Sequence, residues 1–256
     1  MIKLFITDID GCIAHPFKSP DWEAISRIKE LNRRSMEEEH IPALTICTGR
    51  PLPYAEAVAQ WIGIEIPFLF ESGGGMYDVR RNILSWNPKL SPEAEAAIAE
   101  MKKWLNETIL VNYEGTIAEF TKHTDAGLIN PDPGKIIQMK EEIQDHVYRN
   151  YDLFEVHDTD VSVNVILKTT NKGEGIRYLC DHLETDLSEV AYIGDSSGDI
   201  PGLEIVAHSF APSNAQKKTR DTAMHQVGEA TSGVLEAYEM LVRMNADDRR
   251  SPMGDR

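Results

Sequence analysis

The chain has 256 residues, with 42 Asp or Glu against 26 Lys or Arg, a formal charge of −16, 41% hydrophobic residues and 27% charged ones. Such a surface repels phosphate backbones and anionic headgroups, which excludes general nucleic-acid and membrane binding. No apolar run nears the roughly 20 residues that span a bilayer, and three widely spaced cysteines (Cys12, Cys47, Cys180) make neither a disulfide framework nor a zinc site and imply a reducing, cytoplasmic setting.

The length suits one large domain or two small ones. The N-terminus reaches Asp8 too early for a signal peptide. Ile2–Thr7 reads as a buried strand. Ser19-Pro20 opens a helix as N-cap and first position, with Trp22, Ile25, Ile28 and Leu31 as its apolar face. Pro42–Cys47 is a second strand, Leu52–Ile62 a helix and Pro67–Phe70 a third strand. That alternation predicts a parallel sheet with helices on its faces.

After Gly73-Gly74-Gly75 the rhythm changes. Met76–Val79 and Ile83–Trp86 form a hairpin around Arg80-Arg81-Asn82. Ser91-Pro92-Glu93 caps a helix to about Leu105. Strands follow near Ile109–Asn112 and Thr116–Thr121, then a helix from Asp132-Pro133 to about Val147, then strands at Leu153–His157 and Val161–Lys168. Residues 83–168 therefore read as an α+β unit set into the first. The first rhythm returns with a helix at Lys172–Leu183, a strand at Val190–Ile193, a short helix at Ile200–Glu204, a strand at Ile205–Phe210 and a closing helix at Gly233–Asn245. Residues 246–256 are almost free of apolar side chains and read as a disordered tail. The expected fold class is α/β: a Rossmann-like parallel-sheet core, residues 1–82 and 169–245, interrupted by an inserted α+β domain.

Ligands of open parallel sheets sit at the carboxyl ends of the strands. Four groups fall there: Asp8-Ile9-Asp10-Gly11, Thr48-Gly49-Arg50, Lys172-Gly173 and Gly194-Asp195-Ser196-Ser197-Gly198-Asp199. Each alone has a plain explanation as a turn or a helix cap. Together they put four carboxylates on one edge, which is costly without a cation. Carboxylate oxygens with few other ligands suit Mg²⁺. An Asp beside such an ion is a plausible nucleophile toward phosphorus. A second acid can protonate the leaving alkoxide, and a hydroxyl and a Lys can hold phosphoryl oxygens.

This ordered set resembles the phosphatase branch of the haloacid dehalogenase superfamily. The resemblance implies Asp8 as nucleophile and Asp10 as general acid/base. It implies phosphoryl binding by Thr48, Gly49 and Lys172. It implies Mg²⁺ held by Asp8, the Asp10 backbone carbonyl and Asp195, with Asp199 and Arg50 in support. The position of the insertion is similar to the type IIB (Cof-like) caps, which implies a small phosphorylated metabolite, of the sugar-phosphate or phosphoglycolate type, as substrate. The same subgroup contains phosphomutases, which stand as the alternative. A receiver-like phospho-acceptor protein needs only about half this length. The expected assembly is a monomer or small homo-oligomer.

Three positions depart from the family pattern: Cys12 for Thr or Ser, Ser72 for Asn and Gly198 for Asn. Cys12 and Cys47 read as small buried fillers. Substrate selection falls to the inserted unit, where Glu114, Lys122, His123, Asn164 and Lys168 are candidates against an expectation of ordinary solvated surface. His157 beside Asp158 is weighed with them, a plain turn being an equal reading.

Overall fold

The computed structural model describes residues 1–250. In chain order the elements are β1 (Leu4–Thr7), α1 (Trp22–Ser35), β2 (Ala43–Ile46), α2 (Leu52–Ile62), β3 (Phe68–Phe70), β4 (Gly75–Asp78) and β5 (Ile83–Trp86). Next come α3 (Pro92–Trp104), α4 (Leu110–Asn112), β6 (Ile117–Ala118), β7 (Ala126–Ile129), α5 (Pro133–Asn150), β8 (Phe154–Asp158) and β9 (Ser162–Leu167). The chain closes with α6 (Lys172–Leu183), β10 (Val190–Ile193), α7 (Ile200–Leu203), β11 (His208–Pro212), α8 (Lys217–Thr222), β12 (His225–Val227) and α9 (Ala230–Arg250).

Strand β1 is Leu-Phe-Ile-Thr, buried throughout, as a central parallel strand must be. It lies between β10 and β2 in a five-stranded parallel sheet of order β12-β11-β10-β1-β2. Its side chains alternate between two cores. Phe5 joins Ile25, Ile28, Val58 and Tyr238 under α1, α2 and α9. Leu4 and Ile6 join Ile176, Leu179 and Leu203 under α6 and α7. Thr7 stands opposite both Ile193 and Ile46, so Asp8, Gly194 and Cys47 emerge side by side at one sheet edge. Strand β3 touches that edge through a Leu69–Cys47 bridge. It then turns into an antiparallel sheet with β4 and β5.

A separate apolar core begins at α3. Ile98, Met101, Leu105, Met139 and Ile143 pack against Leu128, Val163, Val165 and Leu167. These last come from a four-stranded antiparallel sheet of order β6-β7-β9-β8. Among the described residues no helix is long and apolar enough to cross a membrane.

Several boundaries differ from expectation. Helix α1 starts after Asp21, whose carboxylate accepts from the Glu23 and Ala24 N–H groups, rather than after Ser19. Ile109–Asn112 is not a strand. The chain stays helical through a π turn at Leu105–Ile109 and on into α4, because Met101, Leu105 and Ile109 recur at helical spacing and are all buried. The Thr116–Thr121 strand shrinks to β6, and β7 was unforeseen because Gly127 interrupts its pattern. The Ile205–Phe210 strand begins only at His208, since Ile205 turns back to Gly202. Elements α8 and β12 also went unread.

The expected tail is helical over residues 246–250; residues 251–256 lie outside the described part. Helix α9 is held by Asn245, whose amide exchanges two 2.7 Å hydrogen bonds with the Ile2 backbone and donates to the His40 carbonyl. Arg249 continues the attachment at 2.5 Å from Glu39.

Candidate active site

The residues singled out from the sequence converge at the edge where β1, β2 and β10 end. The Asp8 N–H donates to the Ile193 carbonyl, and Oδ1 accepts from the Ile9 N–H at 2.7 Å. Asp8 Oδ2 lies 2.8 Å from Lys172 Nζ. The next residues close a tight loop, with hydrogen bonds from Cys12 and Ala14 N–H back to the Ile9 carbonyl. Gly11 sits there at φ 72°, and a Cβ on it would lie 2.0 Å from Asp195 Oδ2, so only glycine permits both the turn and the approach.

Asp10 takes a two-point hydrogen bond from Arg50, Nε to Oδ2 at 2.5 Å and Nη2 to Oδ1 at 3.1 Å. Arg50 is fixed in turn by its own loop. Its N–H donates to Thr48 Oγ1 at 3.1 Å, and its carbonyl accepts from the Glu71 N–H. Thr48 is fully buried. Glu71, Ser72 and Gly73 all have positive φ, a strained turn held by the Ser72 N–H on the Thr48 carbonyl. Its third member must be glycine, because a Cβ there would meet Gly175 Cα at 2.5 Å.

Helix α6 is capped by Asn171 and starts at Lys172. The Lys172 side chain is nearly buried and lies 2.5 Å from Asp199 Oδ1 as well as near Asp8. Both Asp199 oxygens are occupied. Oδ1 accepts from Lys172 and the Tyr192 hydroxyl; Oδ2 accepts from the Asp195 N–H, the Ser196 N–H and Ser196 Oγ. Asp199 thus orders the loop that presents Asp195.

Carboxylate oxygens of Asp8, Asp195 and Asp199 lie within 4.8 Å of one another. The Asp10 carboxylate is not in that group; it faces Arg50. Burial, opposed by Lys172 and reinforced by Asp199 and Asp10, pushes the Asp8 carboxyl up to about 7. Burial and the charges of Asp199 and Asp8 push Asp195 well above the carboxylate range. Asp199 goes the other way, because Lys172 outweighs its burial. One ammonium for three clustered carboxylates leaves surplus negative charge, and the oxygen-only donors suit a hard divalent cation. Asp8 and Asp195 have the donor oxygens to hold it.

A cavity of about 60 Å³ opens over Asp8, Asp10, Arg50 and Lys172. Its far wall comes from the β6–β9 sheet. Of the selection candidates, Lys122 and Asn164 line it; Glu114, Lys168 and His123 do not, the His123 ring lying tilted against Trp86. Sequence reasoning missed Glu119, Thr159 and Ser162; of the two readings of His157-Asp158, the plain turn fails, since the pair ends β8 and faces the cavity. The signal that existed was the alternation of Ser162 and Asn164 along β9. The two units are fastened by Glu71, whose carboxylate accepts from the His123 and Thr124 N–H groups and the Thr124 hydroxyl. Gln216 bridges a second point, accepting from the Ser197 N–H and donating to the Asp158 carbonyl.

Behind Lys122 lies Asp125, fully buried, its Oδ1 3.1 Å from Lys122 Nζ and its oxygens without a hydrogen-bond partner among the described residues. Burial, against the pull of Lys122, raises its carboxyl to about 7. Between the unfolded value of 3.8 and about 7 the folded chain holds the extra proton, so this group's contribution to stability falls as pH rises through that window. Asp125→Asn therefore raises the melting temperature relative to wild type at pH 8 and much less at pH 5, measured by thermal denaturation at both.

A protein-family model described as haloacid dehalogenase-like hydrolase matches residues 106–237. A Methanopyrus kandleri protein named phosphoglycolate phosphatase is 28% identical over 224 residues, covering 87% of this chain and 89% of its own. A protein of the same name from Methanococcoides burtonii is 25% identical over 245 residues, covering 93% and 96%. Among solved structures, a Thermoplasma acidophilum protein superimposes with a TM-score of 0.72 at 16% identity, covering 94% of this chain and 98% of its own. The sucrose-phosphatase of Synechocystis, solved with sucrose and phosphate, superimposes with a TM-score of 0.65 at 18% identity and the same two coverages.

Proposed function

Since the chain belongs to the haloacid dehalogenase-like hydrolases, we propose that it is a Mg²⁺-dependent phosphomonoester hydrolase working through an aspartyl-phosphate on Asp8. The observation that carries this reading is the pairing of Asp8, 2.8 Å from Lys172, with a second acid two residues on that borders the same cavity. An Asp8 carboxylate oxygen attacks phosphorus and the bond from phosphorus to the leaving oxygen breaks. Asp10 gives its proton to that oxygen. Asp10 then takes a proton from water, whose oxygen attacks phosphorus and releases inorganic phosphate from Asp8. Lys172 and the Thr48 hydroxyl bind the phosphoryl oxygens, with Gly49 giving room for their approach. Asp8, Asp195 and the Asp10 carbonyl would hold Mg²⁺, with Asp199 ordering the loop. When bound, the ion neutralises phosphoryl charge and aligns it with Asp8.

Arg50 keeps the Asp10 carboxylate aimed into the cavity. Residues of the β6–β9 unit act as a cap over the leaving group. The names of the relatives and the small cavity support a small phosphorylated metabolite, of the phosphoglycolate or sugar-phosphate type, as substrate.

The test is phosphate release from p-nitrophenyl phosphate by the purified protein. The expected result is turnover that requires Mg²⁺ and stops with EDTA. Absence of turnover with Mg²⁺ would overturn the reading. A product assay showing isomerised sugar phosphate without free phosphate would favour a mutase.

A further inference from the structure

The wall of the cavity that faces Asp10 is built around one carboxylate. Glu119 Oε2 lies 2.9 Å from Lys122 Nζ, and Glu119 Oε1 lies 3.7 Å from Arg50 Nη1. Lys122 gives a further hydrogen bond to Asn164 Oδ1 at 2.7 Å and faces Asp125. Gly127 makes the cluster possible, because a Cβ there would lie 2.3 Å from Glu119 Oε2 and 2.9 Å from Lys122 Nζ.

Each Lys or Arg that lines this cavity therefore already faces a carboxylate. Lys172 faces Asp8 and Asp199; Arg50 faces Asp10 and Glu119; Lys122 faces Glu119 and Asp125. With a proton on Asp125, Lys122 still has Glu119. The His157 ring lies between Ser197 Oγ and Glu155. An adjoining cavity of about 380 Å³ contains Lys18 and His15, but it reaches Asp10 and not Asp8 or Lys172. Asp158 also lines the cavity, 2.7 Å from Lys140, and Thr159, Ser162 and Asn164 add neutral hydrogen-bonding groups.

We propose that Glu119 is a specificity residue, which occupies Arg50 and Lys122 so that the site favours a compact, neutral, hydroxyl-bearing leaving group over a carboxylate-bearing one. This rests on the phosphatase reading above. A carboxylate on the leaving group would stand against Glu119 with no unpaired Lys or Arg in the lining of that cavity, and like charges brought together in such a site repel. A hydroxyl in the same place donates to Glu119 or Asn164. The names of the relatives point the other way, toward phosphoglycolate, so the two expectations separate cleanly.

The experiment compares kcat/KM for 2-hydroxyethyl phosphate and phosphoglycolate at pH 8 with Mg²⁺. The two differ only in a hydroxymethyl against a carboxylate. Wild type should favour 2-hydroxyethyl phosphate by at least about tenfold. Glu119→Gln should shift that ratio by at least about tenfold toward phosphoglycolate. Equal or better turnover of phosphoglycolate by wild type overturns the proposal, whether or not the variant folds. So does an unchanged ratio in a variant whose circular dichroism matches wild type. p-Nitrophenyl phosphate is the control: turnover of it alongside either result isolates the failure to Glu119, and its absence overturns the phosphatase reading and this inference with it.

Discussion

Asp8→Asn should lower kcat for phosphate release by at least about a thousandfold, with no loss of fold. The amide keeps the shape of the side chain and can still accept from the Ile9 N–H, but it cannot form the acyl-phosphate. The structural side of this expectation is the sharper one. Asp8 is one of three clustered carboxylates, with a single ammonium, Lys172, between it and Asp199, so neutralising it relieves repulsion, and Lys172 keeps Asp199 as a partner at 2.5 Å. In EDTA at pH 8 the variant should melt no lower than wild type. A drop of several degrees would mean that the Asp8 charge holds the loop together, and the kinetic loss could not then be assigned to chemistry.

Lys172→Met should behave in the opposite way. It removes the ammonium buried between Asp8 and Asp199 and leaves their charges uncompensated. Breaking a buried pair from one side costs about 3–5 kcal/mol. For a chain of this size that is a fall of about 6–20 °C in melting temperature. Activity should fall with it, since the phosphoryl oxygens lose a cation. Thermal denaturation across pH separates charge from packing: the deficit should narrow at pH 5, where Asp8 takes up a proton. A constant deficit would show that the Lys172 methylenes matter and the charge does not.

The core was legible because its signals are local. Strand β1 announces itself through four bulky residues, and helices α2 and α6 run over the ranges that their apolar spacing and caps mark out. The same holds for the groups at the strand ends, which follow directly on those strands. The wall opposite was legible only in part. Lys122 and Asn164 could be guessed as polar residues in the inserted unit. Glu119 could not, since its partner Arg50 lies in a segment distant along the chain, and His157 was open between a turn and a site because its partner Ser197 is equally remote. The π turn and β7 were hidden for other reasons. In one, β-branched residues at Ile109 and Val111 imitate a strand. In the other, Gly127 is selected by the room that Glu119 and Lys122 need, which overrides strand propensity.

The placement of β1 has a consequence for how the molecule comes into being. Leu4 pairs on one side with Ala43 and on the other with Val190. The strand is therefore made long before its second neighbour exists. Until then an apolar strand has an open edge, the form most prone to wrong pairing during synthesis. Asp8 and Asp195 meet only when β10 docks, and Ile2 is fastened only when Asn245 arrives. A chain cut short before β10 would hold Asp8 with neither Asp195 nor Asp199 beside it.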